Sequence, residues 1–343
     1  MTKIEKAKIC VVPQVHGVGG MVSFLHKFSA GARARGVLVS NDLSESCSAV
    51  LVIGGTRQVL PLLRLRQRGV RIVQRLDGLN WIQRVRPVSL KHTLRAEYGN
   101  LVLAFTRRFV ADSIIYQSGF SRWWWNERFG QINKPHKVVY NGVDLQVYSP
   151  AVSSAQPVPT DVHRLLVVEG SLGGGYESGL DNAVSLAEAL AVRGWRMEVQ
   201  VVGEVSPALK AGWEAKSSVP LRWSGLVPRE EIPALDRSAH LLFSADLQPA
   251  CPNSVIEALA CGLPVVAFDT GSLSELVTPE TGYIGPYGSD SWKLEPPDVA
   301  GLAQGAGNVL KNWPSFSLAA RNRAESAFGL EQMVDHYLEV LLG

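Results

Sequence analysis

The residues best suited to chemistry in this chain lie in one stretch, SADLQPACPNSVIEALACGLPVVAFD, residues 244–269. Residues 239–245 are mostly apolar and bounded by polar residues, the pattern of a strand buried on both faces. A loop with two prolines follows, and the spacing of Ile256, Leu259 and Ala260 predicts a helix over 253–261 that packs one face on a sheet. Gly262 suits the left-handed position after the helix, and Pro264 cannot continue it. Residues 263–268 then read as the next buried strand. A helix that starts at the carboxyl edge of a parallel sheet presents unpaired N–H groups, here those of Asn253, Ser254 and Val255. Together with the helix dipole they make a seat for a phosphate. Glu257, one turn further in, can accept hydrogen bonds from two neighbouring hydroxyls such as those of a ribose. An ordinary βαβ unit carrying a surface glutamate reads equally well from these residues alone.

Two further positions follow from the same edge-of-sheet logic. Residues 8–13 predict a strand and residues 21–35 a helix, with Gly17, Gly19 and Gly20 in the loop between them, where backbone can approach a ligand closely. The dinucleotide fingerprint needs a glycine where Val22 stands, and no Gly-Lys-Ser/Thr occurs, so neither that motif nor a P-loop is present. His16 in this loop serves equally as a loop histidine or a ligand contact. Asp77 follows the strand at 70–76 and lies where parallel sheets place their ligands, although a solvated turn aspartate before Gly78 has the same sequence. Gly203 closes the strand at 197–203 in the same manner.

The stretch CPNSVIEALACGLPVVAFDTGSLSELV closely resembles the donor-site signature of the GT-B glycosyltransferases, in particular retaining family 4. The resemblance is strong over 221–285, fair over 70–145 and weak at 170–180. It implies an α/β chain of two Rossmann-like, doubly wound domains facing a central cleft, with a nucleotide-sugar donor and transfer of its sugar to an acceptor hydroxyl with retained anomeric configuration. It assigns Glu257 to the ribose, the amides of 253–255 and the Gly19-Gly20 pair to the phosphates, and the loop around Leu226 to the nucleotide base. Asp77, in an Arg-x-Asp-Gly sequence shared by a subset of these transferases, becomes an acceptor-side or catalytic contact. No metal and no further cofactor are implied, and no Asp-x-Asp occurs. Three departures stand against the pattern. The first glutamate of the signature is replaced by Pro249, for which Asp246 can substitute, and the usual diphosphate-neutralising Arg and Lys are Ser171 and Ser178. These losses leave open a second reading, a GT-B protein that no longer catalyses and serves as a binding or scaffold partner of another transferase.

The elements needed to hold such residues fit a 343-residue chain of 46% hydrophobic and 19% charged residues, enough for two ordinary cores and too apolar for disorder. The expected domains are 1–150, binding the acceptor, and 161–330, binding the donor, joined by the Ser- and Pro-rich 151–161. The helix at 331–343 can cross back to the first domain. Charge is unevenly divided: residues 1–150 hold 22 Lys and Arg against 8 Asp and Glu, a balance of +14, and residues 151–343 hold 12 against 23, a balance of −11. The basic half suits an anionic membrane surface, an anionic or lipid-linked acceptor, or nucleic acid, or else simply keeps the domain soluble. No nucleic-acid motif accompanies it. Trp123, Trp124 and Trp125 sweep about 200° of a helix and cannot all face one core, which suggests an interfacial anchor or an internal contact. Four scattered cysteines without a Cys-x-x-Cys pair, no apolar run of spanning length and no leader pattern point to a reducing, cytoplasmic setting, with peripheral membrane attachment as an extension.

Overall fold

The computed structural model describes residues 7–15, 17, 19–151, 161–173 and 177–343. His16, the glycines at 174 and 175 and most of the Ser- and Pro-rich segment at 151–161 lie outside the described residues. The chain divides into two compact units, Met1–Gly142 with Leu330–Gly343, and Val143–Gly329.

The first unit is built on β1 (Lys8–Val12), α1 (Gly20–Ala34), β2 (Leu38–Ser40), β3 (Ala49–Ile53), α2 (Val59–Gln67), β4 (Arg71–Leu76), α3 (Leu90–Phe105), β5 (Ser113–Tyr116), α4 (Gly119–Phe129) and β6 (His136–Val138). Its six strands are all parallel in the order β2-β1-β3-β4-β5-β6. Every residue of β3 is buried, as expected of a central strand covered on both faces. The chain reverses its direction of travel across the sheet between β1 and β3, so the β1–α1 loop lies at a topological switch point.

The second unit contains β7 (His163–Ser171), α5 (Glu177–Val192), β8 (Met197–Glu204), α6 (Pro207–Glu214), β9 (Leu221–Gly225), α7 (Ile232–Arg237), β10 (Leu241–Phe243), α8 (Asn253–Ala260), β11 (Val265–Phe268), α9 (Leu273–Leu276), β12 (Gly282–Gly285), α10 (Val299–Lys311) and α11 (Trp313–Ala327). Its strands are again parallel, in the order β12-β11-β10-β7-β8-β9. Here the switch point falls between β7 and β10.

The last helix, α12 (Leu330–Leu342), belongs to the first unit. Met333, Val334, Tyr337, Leu338 and Leu341 enter one core with Ile9, Phe24, Phe28 and Leu51. The Tyr337 ring lies 4.9 Å from Phe24 and 5.7 Å from Phe28. Gly31 lets α1 and α12 come this close, since a Cβ there would meet a methyl of fully buried Val334 at 2.6 Å. Valine is stiff at χ1 and cannot turn away. Gly31→Val is therefore expected to destabilise the chain by about 1–3 kcal/mol, read as a lower urea midpoint at unchanged slope.

Residues 143–150, which the sequence reading gives to the first domain, cluster with the second unit. Arg321 on α11 explains this assignment. Its guanidinium donates to the carbonyls of Leu145, Tyr148 and Ala260 at 3.2, 2.8 and 2.8 Å, tying this segment to the end of α8. Val143 also donates to the Phe328 carbonyl at 2.8 Å.

Candidate functional site

The switch point of the second unit is assembled by two glycines that allow close backbone approach. A Cβ on Gly179, in the first turn of α5, would meet the Ala245 carbonyl at 2.5 Å. Gly203, at φ +139°, sits directly against the Glu169 carbonyl with no room for a side chain. The carboxyl ends of β7, β8 and β10 and the start of α5 are thereby drawn together. Two acids meet there, Glu169 near the end of β7 and Asp246 just beyond β10. Burial, and then the neighbouring Asp246 charge, push the Glu169 carboxyl up to about 8, against the pull of the Ala245 and Asp246 amides. Burial likewise raises Asp246 to about 6. Like charges held in a poorly solvated place cannot both ionise cheaply, so the pair retains a proton near neutrality.

Asp246 opens the loop that leads to α8. Gln248 in this loop adopts a left-handed backbone at φ +59°, unusual for a residue with a Cβ. Its buried amide fixes the turn, Nε2 donating to the Ser291 hydroxyl at 2.9 Å and Oε1 accepting from the Gly271 amide at 3.0 Å. Pro249 is locked in the same contact, its carbonyl accepting from Ser272 N–H at 2.9 Å while Gly271 packs on its ring. Where the family signature has a carboxylate, this chain has a structural turn.

Helix α8 begins after Pro252, and no side chain caps its first turn. The amides of Asn253, Ser254 and Val255 therefore lack the partner that a Ser, Thr, Asp or Asn cap would supply. Val255 is fully buried and can offer a ligand only its backbone. Glu257 is 8% exposed, and Arg229, in the turn before α7, stands 3.6 Å from its carboxylate. Asp236 on α7 is almost fully buried, and burial, followed by the Glu257 charge, drives its carboxyl well above the usual range. Burial and the same Glu257 charge raise the Tyr148 phenol. Leu226, just past β9, is 62% exposed. Among the sequence-predicted positions, Gly203, Leu226, Asp246, Asn253, Ser254, Val255 and Glu257 all lie in the second unit.

Gly19, Gly20 and Asp77 lie in the first unit. Gly19 has φ +131°, a conformation that suits glycine alone, and α1 starts at Gly20 directly after it. Asp77 follows β4 and is half-buried, with burial raising its carboxyl and Arg75 pulling the other way. Its backbone is held firmly: the Asp77 carbonyl accepts from the Ser121 hydroxyl and from the Trp125 indole N–H, both at 2.8 Å. The tryptophan run does not face one core: Trp124 and Trp125 are buried, at 8% and 0% exposure, and Trp123 faces outward at 49%. Trp125 supports the Asp77 turn. Ser118 caps α4, its hydroxyl accepting from the Ser121 amide at 3.0 Å. Ser171 ends β7 and Ser178 lies in the first turn of α5, so neither position returns a cation to the switch point.

Sequence reasoning passed over Glu169, Gln248 and Arg229. An acid closing an otherwise apolar strand and followed by glycine was a signal for Glu169. Among the described residues, no group of three or more His, Cys, Asp or Glu is placed to hold a metal ion.

Comparison with known proteins places this geometry. Residues 164–312 match the family described as glycosyl transferases group 1. A GDP-mannose-dependent alpha-(1-6)-phosphatidylinositol dimannoside mannosyltransferase of Mycobacterium tuberculosis is 29% identical over 177 residues, covering 50% of this chain and 44% of that protein. The chain thus matches less than half the length of this curated relative. Among solved structures, sucrose-phosphate synthase from Thermosynechococcus elongatus superposes with a TM-score of 0.74 at 16% identity, covering 97% of this chain and 98% of that one. Anabaena HepE in complex with UDP and glucose gives 0.70 at 16% identity over 98% and 99%. WaaG, a glycosyltransferase involved in lipopolysaccharide biosynthesis, gives 0.68 at 14% over 98% and 100%. Two parallel six-stranded sheets of this topology give the chain the GT-B fold of these structures, and the match to the glycosyl transferases group 1 lies within its second unit.

Proposed function

We propose that the chain transfers a sugar from a nucleotide-sugar donor to the hydroxyl of an acceptor, lipid-linked or polysaccharide, with retention of anomeric configuration. The observation that carries this reading is the uncapped first turn of α8 with Glu257 one turn behind it. Three amides at a positive helix end suit a diphosphate, and carboxylate oxygens, which accept, suit the paired hydroxyls of a ribose. Arg229, 3.6 Å from Glu257, supplies a cation in this unit where Ser171 and Ser178 do not. The named activity of the mycobacterial relative, with a GDP-sugar donor and a phosphatidylinositol-based acceptor, and the UDP and glucose bound by HepE, support a nucleotide-sugar donor and make a lipid-bearing acceptor the first to try.

In this mechanism the departing diphosphate gains negative charge as the glycosidic bond breaks. Helix amides and Arg229 stabilise that charge, with no metal required. Asp77 serves the acceptor side, and Gly19 and Gly20, in the same unit, leave backbone free to approach a ligand. Asp246, placed beside Glu169, serves as the acidic contact to the donor sugar. A thermal-shift screen against UDP-, GDP- and ADP-sugars tests the reading, followed by NMR of the product's anomeric proton and a repeat in EDTA. One donor should raise the melting temperature and yield product of the donor's own configuration, undiminished by chelation. Failure of every nucleotide sugar to bind would overturn the proposal, and an inverted product would overturn its stereochemistry.

A further inference from the structure

We propose that the first unit docks on an anionic phospholipid surface through the outward face of α3. Leu90, Leu94, Leu101 and Phe105 on this helix are 74%, 62%, 60% and 47% exposed, and Tyr98 is 52% exposed. At 3.6 residues per turn these five positions fall within an arc of about 80°, on the side opposite the buried Ala96 and Asn100. A helix facing water has the reverse pattern. The stripe continues into the following turn with Phe109, 54% exposed, whose ring lies 5.1 Å from that of Phe105. Beside it an apolar cavity of about 620 Å³ opens between α2 and α3, lined by Val59, Tyr98, Leu101, Phe105 and Phe109.

The charges around this face select its partner. Arg57 sits 5.7 Å from the Tyr98 ring and Arg108 5.9 Å from the Phe109 ring, both exposed at the rim. Lys91 and Arg95 are exposed on α3 itself. The nearby carboxylate of Glu97 is occupied by Arg84 at 2.6 Å. The unit as a whole, residues 1–142 and 330–343, holds 22 Lys and Arg against 10 Asp and Glu, a balance of +12. A second copy of the chain would bring the same cations against these. A bilayer with anionic headgroups instead receives the apolar stripe at the headgroup boundary and the cations among the phosphates, the arrangement of an interfacial helix. This surface does not depend on the donor-site assignment.

Co-sedimentation of the full chain with vesicles of phosphatidylcholine alone, and of phosphatidylcholine with phosphatidylglycerol, tests the inference at low and high salt. The bound fraction should rise about tenfold on the anionic vesicles and fall again with salt. The double substitution Leu101→Asp with Phe105→Asp should lower binding to anionic vesicles about tenfold at an unchanged melting temperature. Leu90→Asp with Leu94→Asp, at the more exposed end, repeats the test should the first pair disturb folding. Equal binding by both double variants and the wild type would overturn the proposal, as would no binding to either vesicle. So would a wild-type dimer in light scattering that the substitutions convert to monomer, since the stripe would then be a protein interface.

Discussion

Glu257→Ala is expected to weaken nucleotide-sugar binding about 100-fold while the second unit stays folded. A hydrogen bond to a charged group is worth about 1.5–3 kcal/mol, and a ribose diol offers the carboxylate two. Losing both costs about 3 kcal/mol after the remaining contacts adjust, roughly a factor of 100 in Kd. The folding side of the ledger is small by comparison. Arg229 is 41% exposed and 3.6 Å away, a loose pair of the kind that contributes little. The Glu257 charge also opposes ionisation of buried Asp236, so removing it relieves a repulsion. Alanine continues α8 without penalty. Calorimetry with the donor found by screening, beside circular dichroism of the same samples, separates the two effects. Wild-type affinity in a folded Glu257→Ala protein would remove Glu257 from the donor site. Glu257→Gln, which keeps the shape and one acceptor oxygen, should fall between the two.

What the sequence made legible here is what local chemistry decides. The strand–helix–strand frame around α8 was readable because Ile256, Leu259 and Ala260 mark a helix face, Gly262 at φ +74° takes the turn after it, and Pro264 forbids its extension. The parallel sheets followed from apolar runs alternating with helical periods. At the start of α3, Leu90, Leu94, Leu101 and Phe105 recur at helical spacing, but spacing alone does not say that this stripe faces outward. The helix runs over Leu90–Phe105 and is followed by a wider turn over Thr106–Val110. The partition at Gly142 depends on Arg321, far along the chain, gathering three carbonyls, and no linker composition announces that. Gln248 in a left-handed conformation was equally silent, since most such positions are glycine. The tryptophan run announced that something unusual happens there, but only the fold tells that one indole N–H of the three supports Asp77. Glu169 shows the limit most clearly: its neighbours Ala245 and Asp246 stand more than seventy residues away, so neither its burial nor its partner could be read locally.

That pair gives the second large effect. In the unfolded chain both acids titrate in the ordinary carboxylate range, whereas in the fold they keep their protons up to about 8 for Glu169 and about 6 for Asp246. Between those limits the folded chain binds more protons than the unfolded one, so stability falls as pH rises. Glu169→Gln removes the group that is hardest to ionise and substitutes a neutral side chain of nearly the same shape. It should come closest to the wild type at pH 4 and below, where Glu169 is protonated in the fold and largely so in the unfolded chain, and exceed it by about 2 kcal/mol at pH 9, a figure discounted for partial solvent access. Urea midpoints at the two pH values provide the check, and an equal difference at both would show that Glu169 does not carry the titration. The same substitution bears on function. A diphosphate near the switch point meets a single negative charge while the pair shares its proton and two after losing it. Donor affinity of the wild type should therefore decline through pH 8, and the decline should flatten in Glu169→Gln. The acid pair thus makes the charge at this sheet edge a function of pH. If the stability profile changes as expected and the donor affinity profile does not, the pair is a structural feature of the sheet edge and the diphosphate binds elsewhere.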